Sequence, residues 1–500
     1  MKTIYSTFFK QAKETPNNVY IYDFIENKEL TFQKVLDNSL RIASLLKNSG
    51  VNSGMRVAVM IENSSEFIYI YLALMRLNAI IVPINTKFKS LALRQILSDS
   101  ESKCLIFSTK YEDDIITATE ILENIDIFIS LENNSSFTNN YLCKFKDYPL
   151  FGGPYNKKND SESVIFYSEG STGPTKGVIY NQQSLINNAN VFQTAMLFKT
   201  QNKIYAQFPF SHYFSITAIL NNSLIAGIPI IISNDIKDIE DNDDIVIIAT
   251  PSFYESIANT DALQNIDSIK LAITGGGKLK PEITEYFLKN YKLPIYKNYG
   301  MIEVGPIVST NTNKKKAKSI GTPLKDISIA IMDNEKFLQP NIIGEICIRN
   351  TNIVKKYCSK NIKIENCILL GWYQTGDIGY QDIDGYFYFI DRKINIINVN
   401  GFDVYPEIVE HELLKHDLIS EVAVTGYKEK RMTEKLVANI VTVDKRVINQ
   451  EELKLFLKNK ILKYQIPDKF TFLNHLPKNA TGKISRQSLR RKNTTNIGGK

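Results

Sequence analysis

The sequence predicts an α/β protein: a large N-terminal domain of parallel-rich sheets covered by helices, followed by a small C-terminal α+β domain. Three observations carry this. At 500 residues the chain exceeds the length at which a single hydrophobic core usually stops growing, so more than one domain is expected. Apolar runs rich in Ile and Val alternate with helical patterns, as parallel strands with helical crossovers require. After Arg392 the order changes to one helix, two neighbouring strands and a second helix, a compact unit of its own.

The elements follow in chain order. The opening MKTIYSTFFKQAKETPNN lacks the apolar centre of a secretory signal, so a cytoplasmic location is expected. Two longer apolar stretches come next, residues 67–83 and 218–233. The first carries Arg76 and the second the pair Asn221 and Asn222, so neither reads as a clean membrane span. Residues 133–163 are polar and read as a surface loop. SVIFY reads as a strand running into the loop YSEGSTGPTKGV, residues 167–178. DIVIIATP then reads as a strand before a helix from Ser252, and KLAITGGG as a strand before a helix after Pro281. The run TNTNKKKAK, residues 310–318, reads as a solvated loop.

A domain boundary is placed near residue 391, giving a large domain over 1–390, a C-terminal domain over 391–492 and a flexible tail over 493–500. In the C-terminal part, residues 407–415 read as a helix, and EVAVTGY and KLVANIVTV as strands. Asn449 with Glu452 fits a capping box, and Leu453, Phe456, Leu457 and Ile461 recur at helical spacing, turning one apolar face toward those strands.

Composition excludes several classes. Hydrophobic residues make up 43% and charged residues 23%, an ordinary globular balance. The formal charge of +7 is the difference between 60 basic and 53 acidic residues spread along the chain, too diffuse for a nucleic-acid partner. Five cysteines are widely spaced with no C-x-x-C pair, so they read as reduced thiols and not as a zinc or redox site. No solenoid repeat is present.

The strongest chemical signal is the loop after SVIFY. Its glycines let backbone N–H groups approach an anion, Ser171 and Thr172 add hydroxyl donors, and Lys176 adds positive charge. A Walker A loop is excluded, because Thr175 replaces the Gly before Lys176 and Gly177 replaces the Mg-binding hydroxyl. Downstream, in order, come ITGGGKLKP (273–281), NYGMIE (298–303), YQTGDIG (373–379), DRKINIINVNGFDVYP (391–406) and NATGKISR (479–486).

With these motifs in this order, the chain resembles the adenylate-forming superfamily nearly end to end, on its acyl-CoA synthetase and fatty-acid–CoA ligase branch. The resemblance implies that a carboxylate attacks the α-phosphate of ATP, pyrophosphate leaves, and the acyl-adenylate passes to a thiol, coenzyme A. It implies that Ser171, Thr172, Gly173 and Lys176 hold the β- and γ-phosphates, and that Gly275, Gly276, Tyr299 and Gly300 line the adenine slot. Glu303 is implied as the ligand of Mg²⁺, Asp377 as acceptor for the ribose hydroxyls with Arg392 nearby, and Lys483 as the cation that reaches the α-phosphate and the incoming carboxylate. The C-terminal domain is implied to be mobile, rotating to present a face around Gly401 for coenzyme A.

The segment FPFSHYFS carries His212 at the acyl pocket and none of the Asp that pairs a substrate ammonium in amino-acid-activating relatives. A buried ammonium without a counter-ion is costly, so a fatty or aryl acid is expected. A carrier protein in trans is the alternative acceptor, and a non-catalytic nucleotide- or acyl-binding protein the alternative function. Departures from the family pattern are Glu169 and Pro174-Thr175 around the phosphate loop, Ile302 where a Thr is usual, Ile394 and Asn395 after Arg392, and Asn400 in place of a Gly.

Overall fold

The computed structural model describes residues 2–155, 160–167, 176–199, 201–239, 244–260, 263, 266–350, 356–359, 364–428, 434–446, 448–478 and 484–495. Their contacts resolve into two compact units. The first draws on the described residues of 1–168, 175–329 and 348–373, and the second on those of 330–347 and 374–500.

The first unit is built on two sheets, both parallel-rich as expected. In one, strands Ile230–Ile232, Lys203–Gln207, Ile245–Ala249, Ile269–Thr274 and Ile295–Met301 lie side by side in parallel. Val19–Asp23 adds a further parallel strand and Lys28–Thr31 an antiparallel edge, while Gly305–Asn311 and Thr322–Pro323 close the opposite edge antiparallel. The other sheet runs Ile127–Ser130, Cys104–Phe107, Arg56–Met60, Ile80–Pro83 and Glu162–Tyr167 in parallel, with Gly177–Asn181 antiparallel at its edge. The strands are almost wholly apolar because helices cover both faces.

The two long apolar stretches resolve into this core. Residues 67–83 are the helix Ser65–Leu77 and the strand Ile80–Pro83, both buried all round. Ser64 caps the helix by accepting from Phe67 N, and Asn78 ends it in the left-handed conformation that Asn tolerates. Arg76 is buried yet satisfied. It donates to the carbonyls of Gly153 and Pro154, and its guanidinium sits 5.1–5.6 Å from the ring centroids of Tyr5, Phe151 and Tyr155. Among the described residues no helix is long and apolar enough to cross a membrane.

Several expectations shift slightly. The helix expected from Ser252 starts at Pro251, whose fixed φ and missing N–H suit a first turn. The run 310–318 is only partly loop: the strand Gly305–Asn311 takes its first residues, and buried Asn311 donates to the carbonyls of Lys316 and Ser319 at 2.8 and 2.9 Å.

In the second unit, helix Pro406–Leu413 and helix Gln450–Lys458 pack on a sheet of Ile419–Lys428, Glu434–Thr442 and Lys469–Phe472. Leu453 and Leu457 are buried with Val422, Val424 and Ala438, and Phe456 packs against the same cluster, as the helical spacing predicts, whereas Ile461 packs there from beyond the helix, which ends at Lys458. The capping box does not form. Asn449 caps the helix through Glu451 N, while the Glu452 carboxylate lies 3.7 Å from His416 Nε2.

Candidate active site

In the first unit, register brings the predicted residues to one sheet edge. Gln207 pairs with Ala249, Ala249 with Thr274, and Thr274 with Lys297, so four parallel strands reach the same level together. The segments that follow, Phe208 to His212, Gly275 to Gly277 and Asn298 to Gly300, therefore emerge beside one another. This is the carboxyl edge at which open α/β sheets bind ligands.

His212 begins a helix, and its Nδ1 accepts from Phe214 N at 3.2 Å. Its ring stacks on Tyr213 at 4.3 Å and lies 5.2 Å from Phe208. Two glycines are required here by close approach. A Cβ on Gly275 would fall 2.7 Å from the Phe214 ring, and one on Gly276, whose φ is +68°, would fall 3.3 Å from His212. Asn298 Nδ2 donates to Thr274 O at 3.3 Å, which fixes the amide so that Oδ1 faces the other way. That buried oxygen has no hydrogen-bond partner among the described residues. Tyr299 follows on the same strand, opposite Ser309.

Glu303 lies in the turn between strands Ile295–Met301 and Gly305–Asn311 and is buried. Three tyrosines that sequence reasoning missed surround this turn. Tyr180 donates to Ile302 O at 2.8 Å. The Tyr357 hydroxyl is 3.5 Å from Glu303 Oε1 and 3.5 Å from the Tyr373 hydroxyl. Burial, reinforced by the Glu303 charge, pushes all three phenols far above their usual range, so they stay neutral donors at any physiological pH. Lys176 completes the group, its Nζ lying 5.9 Å above the Tyr357 ring. Backbone pairing makes this possible: Cys358 N donates to Gly177 O at 2.7 Å and Val178 bridges Tyr357, which draws the residues flanking Lys176 to Tyr357. Ile302, where the family pattern has Thr, is buried in the apolar core.

In the second unit, Asp377 and Arg392 are Cα partners on adjacent antiparallel strands. Asp377 is buried, and Arg392 Nε lies 2.7 Å from its Oδ1. Thr375 and Glu345 brace the segment, Thr375 Oγ1 accepting from Asp377 N at 3.0 Å and Glu345 Oε1 from Gly376 N at 2.9 Å. Asp391, also missed, accepts from Arg392 N, Asn395 Nδ2 and Glu407 N at 2.7–2.9 Å, tying residues 391–407 together. Asn400 and Gly401 form a two-residue turn, with φ of +53° and +90°, between Ile397–Val399 and Phe402–Val404. Asn-Gly is the pair such a turn favours, which accounts for Asn400 in place of a Gly. A Cβ on Gly401 would meet nothing within 4 Å, so this face is open. Ser171, Thr172, Gly173 and Lys483 lie outside the described residues, as do Glu169, Pro174 and Thr175.

The donor set is compatible with the implied groups. Mg²⁺ takes one or two carboxylates together with substrate phosphates, so a single Glu303 is sufficient. No group of three or more His, Cys, Asp or Glu side chains placed to hold a metal occurs among the described residues.

The sequence matches the profile of the AMP-binding enzyme family over residues 8–358 and that of the AMP-binding enzyme C-terminal domain over residues 408–483. It is 27% identical to a long-chain-fatty-acid–CoA ligase of Bacillus subtilis (strain 168), covering 99% of this chain and 95% of that protein. It is also 27% identical to a 2-succinylbenzoate–CoA ligase of Geobacillus sp. (strain WCH70), covering 96% of each. Among solved structures, the Bacillus subtilis o-succinylbenzoate CoA synthetase in complex with its acyl-adenylate intermediate superposes with a TM-score of 0.86 at 24% identity, over 98% of both chains. ATP-bound MatB from Rhodopseudomonas palustris superposes with a TM-score of 0.87 at 22% identity, again over 98% of both. At these identities the structural matches establish the fold.

Proposed function

The chain belongs to the AMP-binding enzyme family, and from that premise we propose that it converts a carboxylic acid of the fatty-acid class into its coenzyme A thioester. It is an adenylate-forming acid:CoA ligase that uses ATP, Mg²⁺ and coenzyme A. In the first half-reaction a carboxylate oxygen forms a bond to the α-phosphorus of ATP as the bond to pyrophosphate breaks. In the second, the thiol sulfur forms a bond to the acyl carbon, AMP leaves, and the thiol proton is released.

Roles for individual residues are part of the proposal. The in-register strand ends support an adenine slot between Gly275, Gly276, Tyr299 and Gly300, with Asn298 Oδ1 as a free acceptor beside it. Glu303, held by Tyr357, would hold Mg²⁺, which when bound offsets phosphate charge, and Lys176 with the Ser171-Thr172-Gly173 turn would hold the β- and γ-phosphates. Asp377 accepts the ribose hydroxyls in this reading, with Arg392 Nε 2.7 Å from its Oδ1. Lys483 serves the α-phosphate, and the open turn at Gly401 serves coenzyme A as part of a lid beginning near residue 391. The aromatic surroundings of His212, Phe208 and Phe214 among them, favour an apolar acid over an ammonium-bearing one. A cytoplasmic location belongs to the same proposal.

The test is pyrophosphate release with ATP and Mg²⁺ against fatty, aryl and amino acids, each with and without coenzyme A. Release stimulated by fatty acids, sustained by coenzyme A and yielding acyl-CoA is expected. A stoichiometric burst that coenzyme A cannot sustain would point to a carrier-protein acceptor, and no release with any acid would leave a binding protein.

A narrower result is expected at the adenine slot. Alanine at Gly276 must adopt a left-handed backbone at a cost of about 1–2 kcal/mol and press on His212. Gly276→Ala should therefore raise the KM for ATP roughly 5- to 30-fold with a smaller change in kcat, as read from initial rates against ATP concentration. An unchanged KM would place adenine elsewhere.

A further inference from the structure

The helical segment that begins at His212 does not stay α-helical: residues Ile216–Asn221 form a π-helix between Tyr213–Ser215 and Asn222–Ala226. Such segments are rare and recur at functional sites. Thr217 and Asn221 on it, and Asn222 immediately after it, are all fully or almost fully buried. With i→i+5 hydrogen bonding, the position one turn beyond Thr217 falls between Asn221 and Asn222, so these two flank it.

Each carries a polar atom without a partner among the described residues: Thr217 Oγ1, Asn221 Nδ2 and Asn222 Oδ1. Their remaining bonds define what is missing. Tyr71 donates to Asn221 Oδ1 at 2.8 Å, and Asn222 donates through Nδ2 to Ala218 O at 3.3 Å. A helical Thr commonly satisfies its hydroxyl on a carbonyl one turn back, and Thr217 does not. The unmet set is thus one donor, one acceptor and one hydroxyl able to act as either. Buried groups of this kind are normally paired. Thr217 and Asn222 stand five and ten residues beyond His212, about 7–15 Å along a helix axis.

Resting on the reading of this site as an acid:CoA ligase, we propose that its acid bears a neutral hydroxyl group along the chain, held by Thr217, Asn221 and Asn222. A hydroxyl can both accept, as Asn221 Nδ2 requires, and donate, as Asn222 Oδ1 requires, which an alkyl chain cannot do. A second carboxylate can only accept and would bury its charge without a cation, because among the described residues no basic side chain is hydrogen-bonded to any of the three.

The experiment uses the full chain, ATP, Mg²⁺ and coenzyme A with straight-chain acids of graded length, each offered plain, ω-hydroxylated and ω-carboxylated, and reads kcat/KM from pyrophosphate release. At the matching length the hydroxy acid should exceed its plain counterpart on the order of 10- to 100-fold, since a site built to bind a hydroxyl rejects the analogue lacking it. The dicarboxylic acid should be poorest. Thr217→Val and Asn222→Leu should each bring the hydroxy-to-plain ratio toward one, with thermal midpoints recorded to show that the variants fold. Turnover with no hydroxy preference at any length, or a ratio unmoved in a folded variant, overturns the proposal and leaves buried water as the occupant. Failure to form any acyl-CoA overturns the ligase reading and this inference with it.

Discussion

Lys483→Ala is expected to lower acid-dependent pyrophosphate release on the order of 100- to 1000-fold, the usual effect of removing one fixed donor from a site of developing charge. The chemistry explains the size. An anionic carboxylate must approach a polyanion, and each unit of like charge at contact distance costs several kcal/mol in a partly desolvated site unless a cation stands between them. The measurement is single-turnover formation of AMP-bound acyl product from ATP. Thioester formation from chemically supplied acyl-adenylate should survive, because that half-reaction no longer joins carboxylate to phosphate. Loss of both half-reactions to the same degree would mean that Lys483 does not act specifically in adenylation.

The largest stability effect is expected at Glu410. Its carboxylate is buried and receives Arg486 through two bonds, Nη1 to Oε1 at 2.5 Å and Nη2 to Oε2 at 3.0 Å, as well as Val424 N at 2.6 Å. Burial pushes the Glu410 carboxyl up, and the Arg486 charge pulls it back. Removing one member strands the other, so Glu410→Ala should destabilise the second unit by about 3–5 kcal/mol. Replacing both with apolar residues of similar volume, as in Glu410→Met with Arg486→Leu, should be close to neutral. Hydrogen exchange in strands Ile419–Lys428 and Glu434–Thr442 reads this directly, whereas the single tryptophan, Trp372, lies in the first unit and would report on that unit instead. Equal loss in the single and double variants would show that the pair contributes net stability.

Much of the fold was legible in local signals. Ile- and Val-rich runs bounded by Gly and Pro announced the strands Ile245–Ala249 and Ile269–Thr274, and Pro281 announced the helix after them. The helical spacing of Leu453, Phe456 and Leu457 marked the buried face of helix Gln450–Lys458, because a 3.6-residue turn repeats within the segment itself, whereas Ile461 falls beyond its end. The capping box failed because Asn449 satisfied Glu451 N first and Glu452 found His416.

Site legibility was uneven for the same reason. Glycine-rich and charged motifs mark themselves, so Gly275, Gly276, Glu303 and Asp377 could be named in advance. Tyr180 and Tyr357 could not, since a tyrosine in an apolar strand and one in KKYCS have no local feature that sets them apart, and Tyr373, although it heads the YQTGDIG motif, carries no local sign of its contact with Tyr357.

The amino-acid order by itself determined the kind of enzyme: short loops whose residue types suit anions, in one sequence along the chain, together with strand and helix periods that specify an α/β architecture. Only tertiary structure decided what Glu303 touches, why Arg392 faces Asp377, and that Thr217, Asn221 and Asn222 lie together in the interior with polar atoms to spare. Periodicity and turn chemistry act over a few residues, whereas these groupings depend on strand register and helix packing across tens to hundreds of residues.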